Sequence, residues 1–206
     1  MNDLTKPLND LNNWLKQQAM SVDLVVIGAF AIHLHGIKNR MTMDIDTIVS
    51  IEDPKILKKI SEIGQKYGLP RWLNDQAENL IMPPQFEQRL LHDHTYSHIN
   101  LSYIARIDLI FLKVAAYFYR GEADPKDKED LALLKCTLSE LDLAISFLSN
   151  FHKKHQSTFL RMFKNLFDAA AMIFLAISVS AQNDATLFTV KGTPVTASEF
   201  KYIYSK

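Results

Sequence analysis

Two aspartates, Asp44 and Asp46, stand two residues apart in the segment DIDTIVS, residues 44–50. Polar and apolar residues alternate there, which predicts a β-strand, and side chains two apart on a strand share one face. The two carboxylates would then lie within about 7 Å of each other and repel unless a cation separates them. Mg²⁺ is commonly held by one or two carboxylates together with substrate phosphates. The spacing therefore predicts a Mg²⁺ site made by Asp44 and Asp46.

An isolated pair of this kind can also mark a solvated face or a turn. Here the pair lies in an apolar strand, and a Gly28-Ala29 turn from strand to helix precedes it by sixteen residues. Arg40 and Thr42 lead into the pair with the same period of two. Glycine lets a backbone approach a ligand closely, and amides at the start of a helix can hold phosphate. We therefore expect the Gly28-Ala29 turn to approach a ligand closely and the amides that follow Gly28 to hold phosphate.

The elements that must position these residues alternate between strands and helices, which predicts an α/β (α+β) domain with a helical C-terminal part. Buried or alternating apolar runs predict strands over residues 23–28, 44–50 and 97–106. Helical spacing of apolar residues predicts helices over residues 4–20, 29–36, 108–120, 127–135 and 138–151, and a further helix opened by Asp53-Pro54. That helix would bury Ile56, Leu57, Ile60 and Ile63 on one face. Residues 66–84 are predicted to be irregular, and Thr137 with Glu140 predicts a capping box.

The composition of the 206 residues excludes some classes of protein. Lys plus Arg number 23 and Asp plus Glu number 23, so the chain lacks the basic excess of proteins that coat long nucleic acids. The single cysteine, Cys136, excludes an internal disulfide and fits a reducing compartment, with a buried structural thiol favoured. The polar N-terminus is not a secretory signal, and we expect a cytoplasmic protein without stable membrane association.

The motif R-x-T-x-D-I-D at residues 40–46, after Gly28-Ala29, resembles the signature of the DNA polymerase beta-like nucleotidyltransferase superfamily. The resemblance covers roughly residues 22–150 and implies a nucleotidyltransferase-like mixed sheet flanked by helices. It also implies that Asp44 and Asp46 are catalytic acids that bind Mg²⁺. The same resemblance implies that Gly28, Ala29, Arg40 and Thr42 contact the nucleotide.

The stretch IDLIFLKVAAYFYRGEADPKDKEDLALL, residues 107–134, is similar to the K…R…KD…DL pattern of AbiEii-type toxins and their uncharacterised bacterial relatives. Carried over residue by residue, Lys113 matches the lysine of that pattern, and Asp127 and Asp130 match its acids. The resemblance implies that these three complete the catalytic site and that Arg120 contributes to nucleotide binding. It also raises the possibility of a toxin–antitoxin setting.

The reaction implied by the resemblance is transfer of a nucleotide from an NTP to an acceptor, which would be an RNA such as tRNA, a protein or a small molecule. In the family the glycine is commonly followed by Gly or Ser, whereas Ala29 stands here and offers no hydroxyl. The alternative is a catalytically degenerate nucleotidyltransferase fold that acts as an antitoxin-like binding or regulatory module.

A third carboxylate is expected of polymerase-type relatives. Asp108 is either that acid or the N-cap of the following helix, and the cap is favoured because Asp is a preferred cap residue. Trp72 either anchors its loop to the core or stacks on a base, with the core favoured. His33 and His35, two apart on a helix, do not face one direction, which argues against a zinc site.

Residues 157–206 differ in sequence pattern from the nucleotidyltransferase-like domain predicted over residues 1–156. A basic start, an uninterrupted apolar run and a small-residue end give residues 162–181 the layout of a secretory signal peptide. The following sequence resembles the opening of a parvulin-like peptidyl-prolyl isomerase, as a short strand–helix segment. A fusion junction near residues 156–162 is favoured over a genuine extension of the fold. A weaker third hypothesis is membrane association through residues 165–179.

Overall fold

The computed structural model describes residues 4–75, 80, 82–120, 125–151, 186–190 and 193–196. The chain divides into two compact units, residues 1–159 and residues 160–206. The signal-peptide-like segment over residues 162–181 lies outside the described residues. In the second unit, two antiparallel strands are described, β6 (Thr186–Val190) and β7 (Thr193–Thr196). None of the helices in the described ranges is long and apolar enough to span a membrane.

The first unit contains a five-stranded mixed sheet in the order β3-β2-β1-β5-β4. Its strands are β1 (Val22–Ile27), β2 (Ile45–Thr47), β3 (Leu73–Asn74), β4 (Leu91–Asp93) and β5 (Ile99–Tyr103). β1 runs parallel to β5 and antiparallel to β2, whereas β2 runs parallel to β3 and β4 antiparallel to β5. The predicted α/β (α+β) class with a mixed sheet flanked by helices is confirmed.

The strand that carries the aspartates is shorter than predicted. It was expected over residues 44–50 but covers only Ile45–Thr47, so Asp46 lies in the strand and Asp44 precedes it. The Thr42 hydroxyl bonds the backbone of Asp44, and the Thr47 hydroxyl accepts a hydrogen bond from the Val49 amide at 3.3 Å. Such local bonds compete with the hydrogen bonds of the strand ladder at the two ends of this short strand.

Six α-helices are described, and all lie in the first unit: α1 (Thr5–Gln17), α2 (Gly28–Leu34), α3 (Pro54–Tyr67), α4 (Arg106–Arg120), α5 (Lys126–Leu133) and α6 (Leu138–Phe151). A short 3₁₀ helix covers Phe86–Arg89. α1 packs against α3, and α4 packs against α2, α5 and α6. The predicted helical C-terminal part therefore consists of α4 to α6.

Several helices begin where local signals in the sequence predict that they begin. Asp53 caps α3, its carboxylate accepting hydrogen bonds from the amides of Lys55 and Ile56. The predicted capping box of α6 is present, because the Thr137 amide donates to Glu140 at 2.8 Å and the Glu140 amide donates to the Thr137 hydroxyl at 3.3 Å. These bonds satisfy amides that the first turn of a helix leaves without intrahelical partners.

The core lies between the sheet and its helices. Trp72 is buried there and its indole N–H donates to the Ile60 carbonyl at 2.9 Å, so its predicted role in the core is confirmed. Leu57 was wrongly assigned to the buried face of α3, since it is exposed. The prediction of irregular structure over residues 66–84 missed the end of α3 and the two-residue strand β3. β4 was also missed.

Cys136 is half-buried, and its thiol donates to the Leu131 carbonyl at 3.1 Å. Burial raises the pKa of this thiol to about 12, so it stays protonated at neutral pH. A protonated thiol is a weak nucleophile, which fits the predicted structural role.

Candidate functional site

The half-buried Asp46 carboxylate is held between two neighbours at the point where β1 ends. Asn74, its register partner on β3, donates from Nδ2 to Asp46 Oδ1 at 2.8 Å. On the other side lies Gly28, the first residue of α2, with a φ of +67°. A Cβ on Gly28 would lie 2.6 Å from Asp46 Oδ2, closer than any side chain tolerates. Glycine is therefore required here both for its backbone conformation and to leave room for the carboxylate.

The groups around Asp46 shift its pKa in opposite directions. Burial raises the pKa of Asp46 most strongly, the Asn74 hydrogen bond lowers it, and the charge of Asp44 raises it again. Lys113 and Arg120 lower the same pKa. Helix α4 therefore places two positive charges close enough to act on the aspartate.

Asp44 is exposed and lies in the connection that leads into β2. The Thr42 hydroxyl lies 2.8 Å from Asp44 Oδ1 and can donate to it. Asp44 is close enough for its charge to act on Asp46, as the predicted pair requires. We call Asp44 and Asp46 the acid pair.

A second group of charges, which we call the ion-pair cluster, joins α4, α5 and the connection before β2. Its members are Arg40, Lys113, Arg120, Asp127 and Asp130. Lys113 Nζ lies 3.1 Å from Asp127 Oδ1 and 2.6 Å from Asp130 Oδ2, and its side chain is only 12% exposed. Lys113 is therefore not an exposed helical lysine but a largely buried cation.

The arginines of the ion-pair cluster engage the same two acids. Arg120 Nη1 lies 3.1 Å from Asp127 Oδ2, and the Arg40 guanidinium pairs with Asp130. Arg40 Nη1 also donates to the Met41 carbonyl at 2.6 Å. Arg40 thereby ties the connection that carries Asp44 to α5. Of the five described members of the cluster, three are cations and two are carboxylates.

The partners of the acids separate them into two groups. Asp127 and Asp130 are buried and paired with cations, whereas the described contacts of the acid pair come from neutral donors, the Thr42 hydroxyl and the Asn74 amide. No described salt bridge includes Asp44 or Asp46. Nor do the described residues contain a group of three or more His, Cys, Asp or Glu side chains placed to hold a metal ion. Among the residues that the structure describes, the acid pair therefore consists of the two carboxylates of the site that form no direct ion pair.

Asp108 is neither a helix cap nor part of this arrangement. α4 begins at Arg106, so Asp108 lies in its first turn, and the predicted N-cap role is wrong. Its buried carboxylate accepts two hydrogen bonds from Arg89, Nε to Oδ2 at 2.9 Å and Nη2 to Oδ1 at 2.6 Å. Arg89 also donates to the Pro84 carbonyl, so this pair fastens the 3₁₀ segment to α4.

The structure thus brings together most of the residues predicted from the sequence. Gly28 touches Asp46, Thr42 touches Asp44, and Arg40 connects with the ion-pair cluster. Ala29 is half-buried in the first turn of α2, and no described contact gives it a role in the site. Sequence reasoning missed Asn74 and Arg89, because neither belongs to a spaced motif and each is recognised only through its partner in the fold.

Replacing Gly28 by alanine should separate backbone strain from displacement of the carboxylate. The positive φ costs roughly 1–2 kcal/mol of folding stability for a residue with a Cβ, and the new Cβ must also push Asp46 away from its bond to Asn74. We expect lower thermal stability together with loss of divalent-cation binding, measured by thermal unfolding and cation titration.

Gly68→Ala is the matched control for that variant. Gly68 has a φ of +66°, nearly that of Gly28, but nothing within 4 Å of its ideal Cβ. Gly68→Ala should therefore lose similar stability and keep cation binding. Equal cation affinities in the two variants would show that the contact between Gly28 and Asp46 has no bearing on the site.

Comparison with known proteins places the chain in a family. No curated protein and no solved structure matches it. Residues 2–145 match a family model described as a nucleotidyltransferase of unknown function, DUF6036, and this range contains both the acid pair and the ion-pair cluster. The chain belongs to this nucleotidyltransferase family.

Proposed function

We propose that the protein is a Mg²⁺-dependent enzyme that transfers a nucleotide from an NTP to an acceptor hydroxyl. The observation that carries the proposal is the contrast between the two groups of acids. The described hydrogen-bond donors of the acid pair are neutral, whereas the buried Asp127 and Asp130 each pair with two cations, one of which, Lys113, they share. A divalent cation and the phosphates that accompany it are ligands suited to such a pair.

The donor set fits Mg²⁺, since two carboxylates are available and the substrate phosphates supply further oxygens. Asp44 and Asp46 would hold the ion, which when bound would neutralise phosphate charge and orient the triphosphate. The exposure of Asp44 gives the acid pair access to solvent, and the half-burial of Asp46 strengthens electrostatic interactions at the site.

In the proposed reaction the acceptor oxygen attacks the α-phosphorus of the NTP. A new P–O bond forms, the bond from the α-phosphorus to the bridging oxygen breaks, and pyrophosphate leaves. The acceptor hydroxyl loses its proton to Asp46 or to solvent. Lys113 and Arg120 lie close enough to act on the charge of Asp46, and they would stabilise negative charge as it develops on the phosphates.

Asp127 and Asp130 would then be positioning residues rather than groups that touch substrate. Both are buried and both contact Lys113, which they hold in place on the inner side of α4. The resemblance to AbiEii-type toxins adds a toxin–antitoxin setting to the proposal. The acceptor would be an RNA, a protein or a small molecule.

The test uses the purified chain with Mg²⁺ and each of the four NTPs, labelled either at the α- or at the γ-phosphate, against tRNA and protein acceptors. We expect label from the α-phosphate to reach an acceptor, label from the γ-phosphate to appear only in pyrophosphate, and a chelator to stop both. Transfer of the γ-label to an acceptor would identify a kinase and contradict the proposal.

A second candidate function is a regulatory binding module that holds an NTP without turnover. Two observations favour it: Ala29 offers no hydroxyl at the strand-to-helix turn, and the described residues bring no third carboxylate to the acid pair. Mg²⁺-dependent NTP binding in the micromolar range, with no label on any acceptor, would support the module over the enzyme.

A further inference from the structure

We propose that Asn74 is a positioning residue that holds the Asp46 carboxylate in the orientation in which the acid pair binds a divalent cation. The proposal rests on the function proposed above and adds a residue that belongs to no motif of the sequence. Asn74 lies on β3, in direct register with Asp46 on β2.

The first argument is geometric. The Asn74 amide donates to Asp46 Oδ1 at 2.8 Å, and Gly28 leaves open the space beside Oδ2 that a Cβ would fill. The hydrogen bond therefore restrains the orientation of the carboxylate. Ligands restrained in this way lose less conformational freedom when they bind a metal ion.

The second argument concerns charge. A lysine or arginine at position 74 would pair with Asp46 and compete with a bound cation, as cations already pair with Asp127 and Asp130. An amide donates a hydrogen bond and leaves the net charge of the carboxylate unchanged. Asn74 thus orients Asp46 without neutralising it.

The third argument is that Asn74 is itself held firmly. The Ile45 amide donates to the carbonyl of Trp72 at 2.7 Å, and the Trp72 side chain is buried in the core. On the other side, Asp75 Oδ2 accepts a hydrogen bond from the Ile51 amide at 3.0 Å. Contacts on both sides of Asn74 therefore fasten β3 to β2 and to the connection after it.

The same sheet supplies a matched control. Asn100 on β5 donates to Asp23 on β1 at 2.6 Å, and these two residues are also register partners on parallel strands. Both members of this second pair are exposed. It has the chemistry of the Asn74–Asp46 pair but lies at the start of β1, whereas the candidate site lies at its end.

The experiment titrates Mn²⁺, a spectroscopic substitute for Mg²⁺ with similar oxygen ligands, into the whole chain and follows free Mn²⁺ by electron paramagnetic resonance. Residues that orient metal ligands typically account for 10–100-fold in metal affinity. We expect Asn74→Ala to weaken Mn²⁺ binding about tenfold or more, with Asn100→Ala equal to wild type. Asn74→Leu, which keeps the side-chain volume but lacks the donor, should match Asn74→Ala. Thermal unfolding of each variant confirms that it is folded.

Each outcome has one meaning. Wild-type Mn²⁺ affinity in folded Asn74→Ala or Asn74→Leu would overturn the role of Asn74 and leave the proposed function standing, provided that Asp46→Ala abolishes binding. Unchanged binding in Asp46→Ala, or a wild-type chain that binds no Mn²⁺, would overturn the proposed function and with it the role of Asn74.

Discussion

Asp46→Asn should reduce nucleotidyl transfer about a thousandfold or more, which corresponds to a loss of about 4 kcal/mol in transition-state stabilisation. The same variant should unfold at no lower temperature than wild type when divalent cations are absent. The reason is that burial of the Asp46 carboxylate, which forms no ion pair within the described part of the chain and lies near Asp44, costs free energy in the folded state. Asparagine removes the charge and can still accept the hydrogen bond from Asn74.

The pH dependence of stability follows the same logic. Because burial raises the pKa of Asp46 above its value in the unfolded chain, the folded state binds the proton more tightly. The stability contributed by this group is present at pH values below the unfolded pKa and is lost as the pH rises through the folded pKa. The stability gained by Asp46→Asn should therefore grow as the pH rises from acidic to neutral.

Divalent cations should reverse the order of the two unfolding temperatures, so that wild type unfolds at a higher temperature than Asp46→Asn. Mg²⁺ that binds only the folded wild-type chain raises its unfolding temperature, and Asp46→Asn should show little or no such rise. Asp23→Asn is the matched control, since Asp23 accepts the same kind of hydrogen bond from Asn100. If Asp46→Asn retains wild-type transfer, or if Mg²⁺ stabilises it as much as wild type, the assignment of Asp46 is wrong.

The fold could be predicted from the sequence wherever local signals and tertiary packing agree. The Asp53-Pro54 start of α3 and the Thr137–Glu140 capping box of α6 are local bonds, and both are present. The apolar run of β1 likewise forms a buried central strand. Each of these signals needs only residues a few positions apart, so the sequence alone contains it.

The missed strands show where such reasoning fails. β3 contains two residues and β4 three, too few to display the period of two that marks a strand. Both are edge strands of the sheet, and they exist because a neighbouring strand offers them unpaired backbone groups. Asn74 lies on one of them, so its role was invisible until the pairing with β2 was known.

The residues of the candidate site also differ in how far the sequence could predict them. The acid pair and Gly28 are close in sequence and were found by their spacing. Lys113, Asp127 and Asp130 were found only through resemblance to a family, because Lys113 lies on α4 and the two acids lie on α5, and a helical period within one element does not relate them. The contact between Arg40 and Asp130 spans 90 positions and could not be inferred from either segment.

Lys113→Met should destabilise the folded chain by about 2–4 kcal/mol, somewhat less than the 3–5 kcal/mol typical of a broken buried ion pair. The methionine fills a similar volume but removes the cation that contacts both buried carboxylates, so that Asp127 and Asp130 each keep only one described arginine partner. The loss is moderated because Arg120 still pairs with Asp127 and Arg40 with Asp130. Denaturant unfolding measures the change in the free energy of unfolding.

Two further variants test whether the loss of stability comes from the missing charge of Lys113 or from altered packing. Lys128, exposed on α5, serves as the control, and Lys128→Met should change stability by no more than about 0.5 kcal/mol. Adding Asp127→Asn to Lys113→Met should recover part of the loss, because it removes one of the two charges that Lys113 neutralised. If the double variant is less stable than Lys113→Met by the full cost of Asp127→Asn alone, the two residues are not coupled. In that case Lys113 contributes packing rather than charge, and its assignment as the cation held toward the acid pair fails.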